Sequence, residues 1–128
     1  MPQANLNKET VFVSDGNDAI VIVKDLGDIP GGRTLDVSGV ASGTEYIRAG
    51  HIIVMDDTTK VCSPLGVNGN AYVSLPAGHS YAGVLKSSVP VKDPRAAILT
   101  IGQVNAAASP YPVTNAIKNG LRNIQFLY

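Results

Sequence analysis

The chain has 128 residues, of which 16% are charged, and its ten basic residues balance its ten acidic ones. We expect a chain of this length to form one domain, and the charge balance argues against a dedicated nucleic-acid-binding protein, which carries a basic excess. The single cysteine, Cys62, excludes an internal disulfide and a zinc site built from cysteines. The chain has no apolar run long enough to span a membrane, and MPQANLNKET lacks the features of a signal peptide, so we expect assembly in a cytoplasm without a membrane partner.

The N-terminal segment contrasts in composition with the rest of the chain. Residues 1–10 carry one apolar anchor, Leu6, among polar residues, so they lack the side chains needed to fold alone. We expect them to form a flexible, extended arm. The remaining residues, 11–128, are expected to form a single β-rich domain.

Short segments rich in β-branched residues predict strands after the arm. A turn sequence, DGND, separates the first two segments, and the break IPGG (29–32) precedes the third. The glycine cluster at this break precedes a predicted strand and does not open a helix, so it indicates a loop and not a phosphate site. The predicted strands are TVFVS (10–14), AIVIV (19–23) and RTLDVSGV (33–40).

The C-terminal two thirds of the chain continue in the same style. Short strands at close spacing, with thirteen glycines and eight prolines between them, predict a small β-barrel or β-sandwich. The strands expected here are HIIVMD (51–56), KVCSPL (60–65), YAGVLKSSVPV (81–91), RAAILTIGQVN (95–105) and the final IQFLY (124–128).

One segment, TNAIKNGLRN (114–123), has the spacing of a helix. Its apolar residues recur on one helical face, and Thr114 or Asn115 is suited to cap the N-terminus. Gly120 weakens an isolated helix, so we expect one or two turns that depend on tertiary packing. The residues that share this face are Ala116, Ile117, Gly120 and Leu121.

The stretch YIRAGHIIVMDDTTKVCSPL (46–65) has the residue types of an active site or metal site. An enzyme could combine His51 or His79 with Asp56 or Asp57, but no catalytic or metal-binding motif forces these groups together. Aspartates also favour turns, because their carboxylates accept hydrogen bonds from nearby backbone N–H groups. We therefore predict a hairpin, with no catalytic, cofactor-binding or metal-binding residue. The serines that could complete a triad are Ser14, Ser63 and Ser80.

The order of these segments resembles the small head-decoration proteins, or auxiliary capsid proteins, of tailed bacteriophages. The resemblance covers about residues 44–128 and rests on pattern and order; the segment VKDLGDIPGGRTLDVSG (23–39) is not explained by it. The segments that carry it are IRAGHIIV (47–54), DDTTKVCSPL (56–65), SYAGVL (80–85), RAAILTIGQVN (95–105) and PVTNAIKNGLRNIQFLY (112–128).

The resemblance implies a structural virion protein without enzymatic activity. Such a protein binds the outer surface of the capsid as a homotrimer, stabilises the lattice of the major capsid protein, and is assembled in the bacterial host. An alternative in the same class is the capsid-anchoring module of a head fibre or other virion attachment protein. The candidate residues for contact with the capsid or with other subunits are Leu6, Tyr111, Leu127 and Tyr128.

The final strand offers the most specific expectation about such a contact. Side chains alternate along a strand, so Ile124, Phe126 and Tyr128 should share one face, while Gln125 and Leu127 share the other. We expect Phe126 to lie in the core and Tyr128 to pack near a neighbouring subunit or the capsid. The alternative is that Tyr128 closes the barrel within its own chain.

Overall fold

The computed structural model describes residues 18–40 and 42–128. The predicted arm with Leu6, the predicted strand 10–14 and the proposed domain boundary at residue 10 lie outside this part of the chain. The elements are α1 (Asp18–Val21), β1 (Ile22–Thr34), β2 (Tyr46–Ile47), β3 (Ile52–Asp56), β4 (Cys62–Pro64), β5 (Val67–Asn68), β6 (Ala71–Tyr72), β7 (His79–Leu85), β8 (Val89–Pro90), β9 (Arg95–Asn105), a 3₁₀ turn (Ala106–Ala108), α2 (Asn115–Gly120) and β10 (Ile124–Leu127).

The predicted fold class, mainly β with a short helix near the C-terminus, is confirmed. The main sheet has the strand order β1-β9-β7-β3-β4, and β10 also pairs with β9. Two small sheets, β2-β8 and β5-β6, accompany it. The main sheet does not close into a barrel, so the architecture is that of an open sheet accompanied by two short two-stranded sheets.

Strand β9 organises the main sheet. Antiparallel β1 runs along one of its edges, from Ile22 opposite Val104 to Thr34 opposite Arg95. Its other edge is shared, since antiparallel β7 pairs near Leu99 and parallel β10 pairs from Gly102 onward. This arrangement brings the C-terminal strand beside the middle of the fold.

The main sheet is covered on both faces. One core cluster includes Ile52 and Val84, and residues of α2 and β10 complete it. The second cluster includes Ile53 and Leu85, which are the next residues along the same two strands. Because successive residues of a strand point to opposite faces, these neighbouring buried residues show that apolar groups pack above and below the sheet.

The N-terminal strand predictions need correction. The helical turn α1 includes the first three residues of the predicted strand 19–23, and β1 continues from Ile22 through the expected break at 29–32. A register shift between Ile29 and Arg33 accommodates that sequence within the strand. Extra residues of this kind form a β-bulge, which lets two strands pair despite a local mismatch.

The predicted strand 33–40 is also wrong beyond Thr34, where β1 ends. Leu35 is nevertheless buried, and Val37 packs against the second core cluster. The backbone N–H of Leu35 donates to Pro94 and that of Asp36 donates to Cys62, so no regular ladder continues. The alternation of apolar and polar residues in this segment therefore arises because a loop is buried against the core, and not because a strand pairs with the sheet.

The C-terminal elements agree with the sequence more closely. Strand β9 has the predicted bounds, and α2 is capped by Thr114, whose hydroxyl accepts from the Ile117 N–H. Gly120 has a packing role, since a Cβ there would lie 2.2 Å from the ring of Tyr81. The predicted strand 81–91 divides into β7 and β8, with a turn between them.

Strand β10 follows the expected alternation at its start but not at its end. Ile124 is buried and Phe126 packs against the first core cluster, which confirms the expectation that Phe126 is a core residue. Leu127 is half-buried. Tyr128 has a φ of 61° and is 89% exposed, so it does not close the sheet within its own chain.

Candidate functional site

A pocket of about 480 Å³ lies at the end of the main sheet where β3 begins. We name it the His51 pocket, after the side chain at its base. Its walls come from five separate stretches of sequence, at residues 39–40, 44–48, 51, 64–67 and 110–111. A volume of this size is typical of a site for a small ligand or a few residues of a peptide.

His51 is fixed at the base of the pocket by its own hydrogen bond. Its Nε2–H donates to the carbonyl oxygen of Leu65 at 2.8 Å, which requires a proton on that nitrogen. Burial holds the pKa of the imidazole below its ordinary value, and the Leu65 carbonyl only partly opposes this shift. His51 is therefore a neutral structural donor at neutral pH and is poorly suited to act as a base.

Two tyrosines pack edge-on around His51. The ring centroids of Tyr72 and Tyr111 lie 5.3 and 5.9 Å from that of the imidazole, and 5.3 Å from each other. The Tyr72 hydroxyl accepts from the Ile52 N–H, and burial raises the pKa of this hydroxyl. Edge-to-face packing favours such ring pairs, so the three side chains form one cluster, of which His51 and Tyr111 line the pocket.

Tyr111, one of the proposed interface residues, lies in this cluster. It is half-buried and packs against the first core cluster, so much of its ring is used within its own chain. Tyr111 also lines the His51 pocket. The structure thus places this proposed interface residue between the first core cluster and the pocket.

The rim of the pocket combines opposite charges with apolar surface. Glu45 immediately precedes β2 in sequence and Arg48 immediately follows it, and both side chains are exposed. The guanidinium carbon of Arg48 lies 5.9 Å from the ring centroid of Tyr46, which is the range of a cation–π contact. The pocket thus offers an apolar interior beside acidic and basic groups.

The candidate catalytic residues meet at the other end of β3, but not as a triad. His79 lies opposite Asp56, with Nε2 3.9 Å from a carboxylate oxygen, and its Nδ1–H donates to Ala77. Ser80 is the next residue along β7, so its hydroxyl points away from His79 and donates to Asp57. No proton path from Ser80 through His79 to an aspartate exists in this arrangement.

Asp56 has the turn-forming role that the sequence predicted. One of its carboxylate oxygens accepts from the backbone N–H groups of Thr58 and Thr59. These two hydrogen bonds lower the pKa of the Asp56 carboxyl. The prediction of a β3–β4 hairpin with a turn shaped by aspartate is confirmed.

A metal site is not formed in the described part of the chain. Residues 18–40 and 42–128 contain no group of three His, Cys, Asp or Glu side chains placed to hold an ion. Cys62 is buried in the second core cluster, where it acts as a small apolar residue. Neither helix in these ranges has the length and apolar character to cross a bilayer.

Four large apolar side chains remain exposed along α1, β1 and the adjoining part of β9. We name this set the apolar strip; its members are Ile20, Val23, Leu26 and Ile101. Ile101 lies over Gly27, the residue next to Leu26, because the Ile101 side chain is 3.3 Å from the position that a Gly27 Cβ would occupy. Leu26 is 62% exposed. Exposed apolar surface of this kind is typical of a protein interaction site.

Strand β1, which carries Val23 and Leu26 of the apolar strip, is held to the sheet by ionic contacts. Lys86, next to the end of β7, contacts the carboxylates of both Asp25 and Asp28 on β1. These contacts raise the pKa of Lys86 and, together with a hydrogen bond to Asp25, lower the pKa of Asp28. Among residues 18–40 and 42–128, β1 pairs with β9 alone, so no described strand covers its other edge.

Sequence patterns did not predict the His51 pocket or the apolar strip. The pocket combines residues that are up to about seventy positions apart, and no local motif links them. The exposed Val23 and Leu26 have the same composition as buried strand residues, so only their position at the sheet edge distinguishes them. Two members of the strip, Val23 and Leu26, lie in the segment 23–39, which the resemblance to decoration proteins does not explain.

Comparisons with known proteins do not assign the chain to a family. No protein-family model, no curated protein and no solved structure matches it.

Proposed function

We propose that this chain is a structural protein of a virus particle, a head-decoration protein that binds the outside of a tailed-phage capsid as a homotrimer. Its partners are further copies of itself and the major capsid protein. Its role is to stabilise the lattice by bridging neighbouring capsid subunits. The proposal begins from the resemblance of residues 44–128 to decoration proteins.

The observation that carries the proposal is the apolar strip beside the edge of β1 that no described strand covers. Leaving apolar surface in water is unfavourable by about 25 cal/mol per Å², so covering Leu26 and its neighbours on another molecule is favourable. An open strand edge also offers unpaired backbone groups to a partner strand. Both features support a protein that acts through contact.

The rigidity of the domain supports the same role. The main sheet is packed on both faces, and Lys86 fixes β1 through two carboxylates. The bulges that interrupt the β1–β9 register restrict which strands can add to this edge, since a bulge distorts the hydrogen-bonding pattern that a partner must match. A stiff body with a selective contact edge is suited to bridging subunits of a lattice.

The test is binding of purified protein to capsids that lack it. Capsid, portal and protease genes beside the gene for this chain would identify the capsid to use. We expect the protein to sediment with these capsids and to raise the temperature at which they disrupt. Size-exclusion chromatography with light scattering should give the mass of three chains.

The substitution Leu26→Ser examines the contact surface. It should reduce capsid occupancy or trimer formation while leaving the melting temperature nearly unchanged, because Leu26 is exposed. Val61→Ser is the control, since Val61 is also an exposed apolar residue but lies at the β3–β4 hairpin. A wild-type protein that remains monomeric and fails to bind these capsids would contradict the proposal.

A further inference from the structure

We propose that Asn68 is a site of spontaneous modification, at which the side-chain amide is lost from the folded protein and an aspartate or isoaspartate remains. Asn68 is followed by Gly69 in the turn of the β5–β6 hairpin. The reaction needs no enzyme and no cofactor, because the chain supplies the attacking and leaving groups and the solvent supplies water. The inference does not rest on the proposed function.

The reaction closes a small ring between the Asn68 side chain and the peptide bond that follows it. The backbone nitrogen of Gly69 attacks the side-chain carbonyl carbon of Asn68 and a C–N bond forms. The amide nitrogen departs as ammonia, with the proton that the Gly69 nitrogen gives up through solvent. Water then opens the cyclic imide at either of its carbonyl groups, which gives aspartate or isoaspartate. No atom is oxidised or reduced in these steps.

The hairpin turn leaves the reacting groups accessible. Asn68 pairs with Ala71, so Gly69 and Asn70 are the central residues of the turn. Gly69 has a φ of 68°, as the first central residue of a type II′ turn does. The ladder uses backbone groups of the paired residues and not the Gly69 N–H. Asn68, Gly69 and Asn70 are all exposed, so water and base reach the amide and the attacking nitrogen.

Gly69 also gives the reacting atoms room to meet. No described atom lies within 4 Å of the position that a Cβ of Gly69 would occupy. A glycine lacks the side chain that would obstruct the attack, and it reaches backbone conformations that other residues avoid. Strands β5 and β6 have two residues each and stand apart from the main sheet. Such a short hairpin opens locally at little cost in free energy, which allows the ring to close.

The chain contains a second Asn–Gly pair, which the fold protects. Asn119 is exposed, as Asn68 is, but it lies with Gly120 in helix α2. Gly120 packs tightly, since its Cβ would lie 2.2 Å from the ring of Tyr81. In an α-helix, a backbone N–H at this position donates to the preceding turn, so its nitrogen is held away from the side chain of the residue before it. The same dipeptide therefore has different reactivity at its two places in the fold.

Modification at Asn68 changes the surroundings of the His51 pocket. Val67, the preceding residue, lines this pocket and packs against the first core cluster. Either product adds a negative charge next to Val67 in sequence. Isoaspartate also adds an extra carbon to the main chain, which disrupts the pairing of Asn68 with Ala71. A shift of register by an extra backbone unit moves the neighbouring side chains of a strand.

Ageing of the full-length protein tests the proposal. The folded chain is held in mildly alkaline buffer made with water enriched in heavy oxygen, which marks each residue that hydrolyses before digestion. Peptide mass spectrometry then locates the label. Asn68 should lose its amide about tenfold faster than Asn119, a ratio that needs only about 1.4 kcal/mol between the two barriers. In urea the two rates should approach each other, because the unfolded chain no longer protects Asn119.

Equal rates at Asn68 and Asn119 in the folded protein would contradict the proposal. A ratio that persists unchanged in urea would also contradict it, because the fold would then not be the cause. Asn70 is the control for exposure, since it is equally exposed but precedes Ala71 and should keep its amide. Label at Asn70 as strong as at Asn68 would remove the role of the glycine.

A second measurement follows the consequence for the fold. The isoaspartate form, separated from aged wild-type protein, should melt at a lower temperature than fresh protein. The variant Asn68→Asp should melt like fresh protein, because it adds the charge but keeps the main chain intact. Asn68→Gln should age without this change, because its longer side chain closes the ring poorly. Equal loss of melting temperature in aged wild-type and aged Asn68→Gln protein would assign the damage to another residue and overturn the proposal.

Discussion

Gly83 lies where β7 passes closest to β9. A Cβ at this position would be 2.2 Å from the carbonyl oxygen of Leu99 and 2.7 Å from the Ile98 side chain. The first of these atoms belongs to a paired strand in the middle of the sheet, so it cannot move aside without breaking the ladder. Glycine is therefore required here for close packing of backbones.

The substitution Gly83→Ala should lower the free energy of unfolding by about 3 kcal/mol, because overpacking forces the two strands apart. Denaturation in urea, followed by circular dichroism, measures this change. Gly39→Ala is the control, since nothing lies within 4 Å of the added Cβ, and its effect should stay within about 0.5 kcal/mol. Equal stability of the two variants would refute the packing argument.

His51 makes stability depend on pH. Its folded-state pKa lies below the ordinary value of 6.5, so the unfolded chain binds this proton more readily. Stability is therefore complete above pH 6.5 and falls as the pH decreases from 6.5 towards the folded-state pKa, at up to about 1.4 kcal/mol per pH unit. His51→Gln keeps a donor for the Leu65 carbonyl but removes the titration.

The expected result is a melting temperature that declines between pH 7 and pH 5 in the wild-type chain and is flatter in His51→Gln. Thermal melts at a series of pH values at constant ionic strength measure both slopes. The carboxyl groups with lowered pKa values, such as Asp28, lose their contribution only in more acidic solution. An unchanged slope in the variant would show that His51 is not the responsible group.

At the scale of elements, the β3–β4 hairpin depends on one carboxylate. Asp56→Ala removes the acceptor for the backbone N–H groups of Thr58 and Thr59, so it should lower the melting temperature. Asp56→Asn retains an oxygen at the same place and should lower it less. Differential scanning calorimetry of the two variants checks the order, and an equal loss in both would indicate that the charge of Asp56, which both variants lack, is the important property and not the acceptor oxygen.

The sequence predicted β3, β9, α2 and β10 because each carries a local signal that agrees with its tertiary surroundings. It failed at residues 35–40, where Leu35 and Val37 alternate with polar residues but face a core without a strand partner. It also failed at 18–21, where Val21 is buried in a helical turn against Gly50. In both segments the apolar residues are spaced as they are because they are buried. Hydrophobic periodicity alone does not show whether a buried segment pairs as a strand, forms a helical turn or lies in a loop.

In the candidate site, too, some features could be predicted from the sequence and others could not. The turn role of Asp56 was predictable, since it needs only neighbours in sequence. The contact of His51 with Leu65, Tyr72 and Tyr111 was not, because it depends on how distant loops meet at one end of the sheet. The two histidines therefore looked equivalent in sequence, while the fold buries one and leaves the other beside an aspartate at a turn.

At the scale of the whole molecule, variants in and next to β10 distinguish residues needed for folding stability from residues proposed to contact other molecules. Phe126→Ser should lower the free energy of unfolding by about 2 kcal/mol, because Phe126 packs against the first core cluster. Tyr128→Ser should change it by less than about 0.5 kcal/mol, because the side chain is exposed. Under the proposed function, Tyr128→Ser should instead reduce trimer mass or capsid occupancy.

Urea denaturation and light scattering of both variants provide the two measurements. A Tyr128→Ser protein that unfolds more easily than Phe126→Ser would contradict the assignment of these side chains. A Tyr128→Ser protein that forms trimers and covers capsids as the wild type does would remove Tyr128 from the contact surface. The Leu127 side chain is half-buried, so its replacement should affect both measurements.

The pairing of β1 with β9 has a consequence for synthesis of the chain. The two strands are separated by about sixty residues, so β1 waits for β9 to leave the ribosome, roughly several seconds at ordinary rates of translation. During this delay both edges of β1, together with Val23 and Leu26, are exposed to solvent beside other nascent chains. Lys24, Asp25 and Asp28 interrupt this segment with charge, and charged residues in an unpaired strand oppose aggregation. The same carboxylates that later bind Lys86 thus act first as protection for an unfinished protein.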